Sequence, residues 1–124
     1  DFKVPQIIKE STKPYAFAGL SAIEIWSDYS YVQRGREKSP YFIKVLKQDL
    51  KYWKNFFNET NTPHYINNGT SIGEFVILIP VNKLIFNEKD GLNVEMFKTT
   101  MNEAKKNEMF SYAYAYIKKK YGVV

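Results

Sequence analysis

The sequence SPYFIKVLKQDLKYWKNFF, residues 39–57, contains the clearest periodic pattern of the chain. Ser39 is a good helix N-cap, and Pro40 suits the first helical position, where its missing N–H is no loss. The large apolar residues recur every three or four positions: Phe42, Leu46, Leu50, Trp53 and Phe57. This spacing predicts a helix over residues 40–57 that turns these side chains toward the core.

A second row of side chains follows the same period. It consists of Lys44, Lys47, Lys51 and Lys54. On a helix these lysines form one basic face, which Arg34 and Arg36 extend upstream, and residues 34–54 hold seven basic and two acidic residues. Such a face can neutralise phosphates, with Tyr52 available to stack on a base. The alternative is that the lysines are only the solvated side of an amphipathic helix.

Other patterns define the expected fold class. The β-branched and aromatic run 74–79 predicts a central strand covered on both sides, and the spacing over 93–107 predicts a second helix. Residues 15–33 and 110–121 fit either a helix or a strand, and we favour helix slightly in both. We therefore expect an α+β domain with a small, mainly antiparallel sheet packed against two or three helices. The predicted core is Phe42, Leu46, Leu50, Trp53, Phe57, Phe75, Ile77, Ile79, Leu84, Phe97 and Met101.

Composition limits the possible functions. The chain has 124 residues, 44% of them hydrophobic, which predicts one ordered domain. It has no cysteine and a single histidine, so disulfides, thiolate chemistry and two-histidine metal sites are excluded, and we predict no cofactor. No apolar run is long enough to span a membrane. Because the chain opens at Asp1 without a signal-like segment, we expect a processed protein or a domain excised from a longer one, a secreted protein being one option.

The polar stretch 58–72 contains the residues that best suit catalysis. It holds His64 together with the hydroxyl groups of Thr70 and Ser71. Histidine titrates near neutral pH, so His64 is a candidate general base for a ribose 2′-hydroxyl, with Thr70 or Ser71 donating to the phosphate and a lysine neutralising it. The alternative is an exposed or locally hydrogen-bonded histidine without a catalytic role.

Two functions from different classes follow from these patterns. The first is a module that binds a macromolecule, either a protein partner or a polyanion such as nucleic acid, through the basic face. The second is a small metal-independent ribonuclease that uses His64. In its small size, high pI and single candidate histidine, the chain is similar to the C-terminal nuclease domains of bacterial polymorphic toxins. The similarity implies a toxin-like nuclease domain, and it includes no motif matched residue by residue.

Overall fold

A computed structural model describes residues 3–29, 37–106 and 111–122. These residues form one mixed β-sheet with helices packed against it. The strands are β1 (Tyr15–Phe17), β2 (Lys38–Leu46), β3 (His64–Ile66), β4 (Gly73–Val81), β5 (Phe86–Lys89) and β6 (Leu92–Glu95). The α-helices are α1 (Val4–Ile7), α2 (Gly19–Trp26), α3 (Leu50–Glu59), α4 (Phe97–Lys106) and α5 (Ser111–Tyr121). Short 3₁₀ turns follow α1 at Ile8–Glu10 and precede α3 at Lys47–Asp49.

The order of the strands across the sheet is β3-β4-β2-β1-β6-β5. The pairs β3–β4, β4–β2 and β1–β6 are parallel, whereas β2–β1 and β6–β5 are antiparallel. The expected small, mainly antiparallel sheet with two or three helices is therefore wrong. Within the described part of the chain, the sheet is six-stranded and mixed, most of its pairs are parallel, and five α-helices accompany it.

The error begins at residues 40–46, which are a strand and not the first half of a helix. β2 pairs with β4 over nine residues, from Lys38↔Gly73 to Leu46↔Val81. Two residues four positions apart share a face in a strand as well as in a helix, because four is a multiple of the two-residue strand period. The spacing of Phe42 and Leu46 therefore fits both structures.

The predicted helix is correct in its second half, where α3 begins at Leu50. The predicted strand 74–79 is confirmed within β4, which continues through Pro80 to Val81. The second predicted helix starts later than expected, because residues 92–95 form β6 and α4 begins at Phe97. Residues 15–26 contain both alternatives, first β1 and then α2, and residues 111–121 are helical.

One face of the sheet packs against α1 and α3. The strand register places on this face the side chains of Tyr15, Phe17, Tyr41, Ile43, Val45, Val76 and Leu78, all buried. Trp53 of α3 is fully buried and meets the Tyr15 ring edge-on, with 6.2 Å between ring centroids. Burial raises the pKa of the Tyr15 phenol above its ordinary value. The phenol oxygen accepts a hydrogen bond from the backbone N–H of Asn93 at 3.3 Å. The interior aromatic contacts thus orient α3 on the sheet.

The expected core is partly correct. Trp53, Phe57, Phe75, Ile77 and Met101 are buried as predicted. The remaining predicted core residues keep part of their surface exposed: Phe42, Leu46, Leu50, Ile79, Leu84 and Phe97. On β2 the buried residues are Ser39, Tyr41, Ile43 and Val45, which alternate with Phe42 and Leu46, as expected when a strand replaces a helix.

Helices α2, α4 and α5 pack against one another. Trp26 links this group to the sheet, because its indole Nε1 donates to the Glu95 carbonyl oxygen at 3.0 Å, and its ring meets those of Phe97 and Tyr121 edge-on. Just after α2, the Asp28 carboxylate forms ion pairs with Lys89 and Lys120. No helix in the described ranges has the length and apolar character needed to cross a membrane.

The burial of Trp53 predicts a large loss of stability on truncation. We expect Trp53→Ala to lower the free energy of unfolding by about 3–5 kcal/mol, because it leaves a cavity between α3 and the sheet. The neighbouring exposed Asn55 provides the control, and Asn55→Ala should change stability by less than about 0.5 kcal/mol. Urea denaturation measures both values, and equal midpoints for the two variants would contradict the packing of α3.

Candidate binding surface and pocket on helix α3

Three of the four lysines of the predicted basic face share one side of the helical segment 47–59. Lys47 lies in the 3₁₀ turn, and Lys51 and Lys54 lie on α3, three residues apart and therefore neighbours on the helix surface, whereas Trp53 and Phe57 are buried. All three lysines are exposed, and none forms an ion pair with a residue that the structure describes. We call these three residues the lysine row. Their charges are therefore available to an external anion.

Lys44 does not belong to the lysine row. It lies on β2, and its ammonium Nζ donates to Glu95 Oε1 at 2.5 Å. The Glu95 side chain is only 8% exposed, so the Lys44 charge compensates a carboxylate that is almost out of contact with water. The placement of Lys44 on a helical face was wrong because residue 44 is in a strand.

Tyr52 is held by contacts within the protein. Its hydroxyl accepts a hydrogen bond from the Thr12 amide at 2.8 Å, and its ring stacks on Phe56 and meets Trp53 edge-on. The predicted stacking of a nucleic-acid base on Tyr52 would have to replace these contacts. Arg34 and Arg36, the remaining members of the predicted basic face, lie outside the described residues.

A shallow pocket of about 430 Å³ lies at the C-terminal end of α3. It contains the only histidine of the chain. The residues that line it are Phe57, Asn58, Asn61, Thr62, Pro63, His64 and Tyr65. Asn58 is four residues after Lys54 and seven after Lys51, so it continues the lysine row along the same side of α3. The basic surface and the pocket are therefore contiguous.

One contact of His64 favours the tautomer of the neutral ring that carries its proton on Nδ1. Nδ1 lies 3.0 Å from the Thr62 carbonyl oxygen, which can only accept, so Nδ1 carries a proton. The neutral ring therefore has its lone pair on Nε2, which has no hydrogen-bond partner among the described residues. The ring packs against Phe57, with centroids 5.9 Å apart. His64 is consequently oriented, with one nitrogen left for a ligand.

Thr70 and Ser71 lie in the loop between β3 and β4. Gly69 of this loop lies against the Tyr65 ring, where an added Cβ would come within 2.2 Å of a ring carbon. Adjacent residues of a strand point to opposite faces, so the loop passes over the Tyr65 side of β3 and not over the His64 side. Neither hydroxyl lines the His64 pocket or hydrogen-bonds to His64. The structure therefore does not bring the three predicted catalytic residues together.

Sequence reasoning missed Asn58 and Asn61, which the fold places beside His64. Their side-chain amides make no hydrogen bond to any part of the chain that the structure describes. A lone asparagine gives no signal in the sequence, and only the turn 60–63 between α3 and β3 brings the two amides together. Asn61 has a positive φ of 54°, a conformation that asparagine adopts more readily than most residues.

The described residues contain no group of three or more His, Asp and Glu side chains arranged to hold a metal ion. Comparison with known proteins adds no assignment. No protein-family model matches the chain, and no curated protein or solved structure matches it.

The two kinds of lysine described above should respond differently to truncation. We expect Lys44→Ala to lower the free energy of unfolding by about 1–3 kcal/mol, because it leaves the Glu95 carboxylate without its charged donor. Lys51→Ala should change it by less than about 0.5 kcal/mol, since Lys51 is exposed and has no ion pair with a described residue. Urea denaturation near pH 7 measures both. Equal effects would show that the Lys44–Glu95 pair does not stabilise the fold.

Proposed function

We propose that the protein is a macromolecule-binding module that holds a polyanion along the lysine row. The observation that supports this proposal is the exposure of Lys47, Lys51 and Lys54 on one side of a continuous helical segment, without an acidic partner within the described residues. Phosphate groups carry the complementary charge, and their binding to lysines releases condensed counterions.

The electrostatics of α3 also favour an anion at this surface. Lys47 and Lys51 lie near the helix N-terminus, where the helix dipole places partial positive charge. Cations at this end stabilise a helix less than cations at its C-terminus, so the two lysines add little to folding stability. Lysine presents a point charge without the bidentate geometry of arginine, so the row is suited to phosphates and not to the reading of base edges.

The proposal predicts a defined salt dependence. If the three lysines each neutralise one phosphate of a single strand, the logarithm of the association constant should fall against the logarithm of salt concentration with a slope of roughly −2. Lys47→Ala with Lys51→Ala should make this slope shallower by about 1.4, since two of the three contacts are lost. Both slopes are measured by fluorescence anisotropy of a labelled single-stranded oligonucleotide at salt concentrations from about 20 to about 200 mM.

The matched control removes the same net charge from a different helix. Lys98 and Lys105 are exposed on α4, and Lys98→Ala with Lys105→Ala should leave the slope unchanged. Phosphate contacts are strong at low salt, so absence of binding at about 50 mM salt would reject the proposal. An equal change of slope in both double variants would instead assign the binding to overall charge.

Metal-independent RNA cleavage is the second candidate, and the tautomer of His64 supports it. With Nδ1–H donated to Thr62, Nε2 is suited to take the proton of a ribose 2′-hydroxyl. The 2′-oxygen then bonds to phosphorus, the P–O5′ bond breaks, and the 5′-oxygen takes a proton from solvent. The products are a 2′,3′-cyclic phosphate and a 5′-hydroxyl. The described lining of the pocket includes no lysine, aspartate or glutamate to act as the general acid, and the Tyr65 ring meets Phe75 on the face of the sheet opposite His64.

Incubation of total RNA with the protein and a chelator tests this second candidate. Cleavage by His64 should be lost in His64→Ala and should persist in Thr70→Ala with Ser71→Ala, because neither hydroxyl lines the His64 pocket. Product ends identified by mass spectrometry should be cyclic phosphates. Intact RNA with the unmodified protein removes cleavage from consideration, and equal cleavage by His64→Ala assigns the activity to other residues.

A further inference from the structure

Several polar groups of the His64 pocket have no hydrogen-bond partner among the described residues, and together they have mixed hydrogen-bonding character. The amides of Asn58 and Asn61 each offer donors and an acceptor, and Nε2 of neutral His64 offers an acceptor. A purely anionic ligand uses only donors. The additional acceptors point to a ligand that also carries N–H groups.

The size of the pocket agrees with a small ligand. Its volume of about 430 Å³ falls within the usual range for small-molecule sites, about 300–1,000 Å³. Exposed Pro63 and the partly exposed ring of His64, which packs on the fully buried Phe57, contribute the apolar surface of the pocket. Nucleobases combine a flat apolar face with donors and acceptors on one edge, and single-stranded nucleic acids are bound by such combinations of rings and polar groups.

The pocket lies a short distance along α3 from the lysine row. Lys51 and Asn58 are seven residues apart, which is about 10 Å along an α-helix at about 1.5 Å per residue. At about 3.4 Å of rise per nucleotide this corresponds to about three nucleotides. A strand whose phosphates follow the lysine row therefore reaches the pocket within a short oligonucleotide.

We propose that the His64 pocket takes one unstacked base of a single-stranded nucleic acid whose phosphates lie along the lysine row. The inference rests on the proposed polyanion binding and names its ligand class. Asn58 and Asn61 contact the edge of the base, and His64 Nε2 accepts from one of its N–H groups. The lysine row supplies affinity for the backbone, and the pocket distinguishes nucleic acid from polyanions that lack bases.

The test uses variants that remove single pocket groups while preserving the local structure. In His64→Asn the side-chain amide keeps a donor near the position of Nδ1–H and lacks Nε2, whereas His64→Gln places an amide near the position of Nε2. Asn58→Ala removes an amide from an exposed helical position where alanine is well tolerated. Asn55→Ala, on the same helix and outside the pocket, is the control.

Binding is measured with three labelled ligands of similar charge: a DNA pentanucleotide, the same strand with abasic sites, and a heparin fragment. DNA avoids cleavage through a 2′-hydroxyl. We expect His64→Asn and Asn58→Ala each to weaken binding of the base-bearing strand about two- to twelve-fold, the range for one lost hydrogen bond, and to leave the other two ligands unaffected. His64→Gln should retain more affinity than His64→Asn. A 2-aminopurine base in the strand should change fluorescence on binding, and the change should be smaller with Asn58→Ala.

The outcomes separate this inference from the proposed function. If all three ligands bind with the predicted salt slope and the pocket variants change none of them, the lysine row binds polyanions and the base-binding pocket is rejected. Equal weakening of all three ligands by the pocket variants also rejects it. If none of the ligands binds, both proposals fail.

Discussion

The parallel pairing of β2 with β4 is the constraint on which the other elements depend. Two parallel neighbours cannot be joined by a tight turn, so the chain between Leu46 and Gly73 must cross over one face of the sheet. This crossover contains α3 and β3. The buried face of β2 and β4 provides the surface on which Trp53 and Phe57 pack, and the opposite side of α3 is thereby turned to solvent. The exposure of the lysine row is a direct consequence.

The same crossover creates the pocket. After α3 ends at Glu59, the chain reverses within four residues and enters β3 beside β4. The register of β3 with β4 places His64 next to Val76, on the face that α3 covers. His64 therefore packs on Phe57, and its Nδ1 reaches the Thr62 carbonyl. A shift of β3 by one residue would exchange His64 with Tyr65 and remove the imidazole from the pocket.

The basic residues of this region divide into two physical roles. Lys44 compensates the carboxylate of Glu95, so its charge is satisfied within the protein. The lysine row has no such partner in the described structure, and its charge acts outward. The pocket likewise keeps polar groups without internal partners, while Tyr52 is fully engaged by Thr12 and by its aromatic neighbours. The groups proposed for binding thus extend along α3 from its N-terminal turn to the pocket at its C-terminal end.

Sequence alone determined that the chain can form a core, that residues 50–57 form an amphipathic helix with Trp53 and Phe57 inside, and that residues 74–79 form a buried strand. These features depend on local periodicity and on apolar content, which a sequence displays directly.

The sequence did not determine the strand at residues 40–46, because an apolar spacing of four satisfies both the helical and the strand period. Only pairing with β4 selects the strand. The separation of Lys44 from the other lysines, and of Thr70 and Ser71 from His64, also depends on partners far away in the sequence. The proximity of Asn58 and His64 depends on the register of β3 with β4, and pairing between strands leaves no local pattern in the sequence.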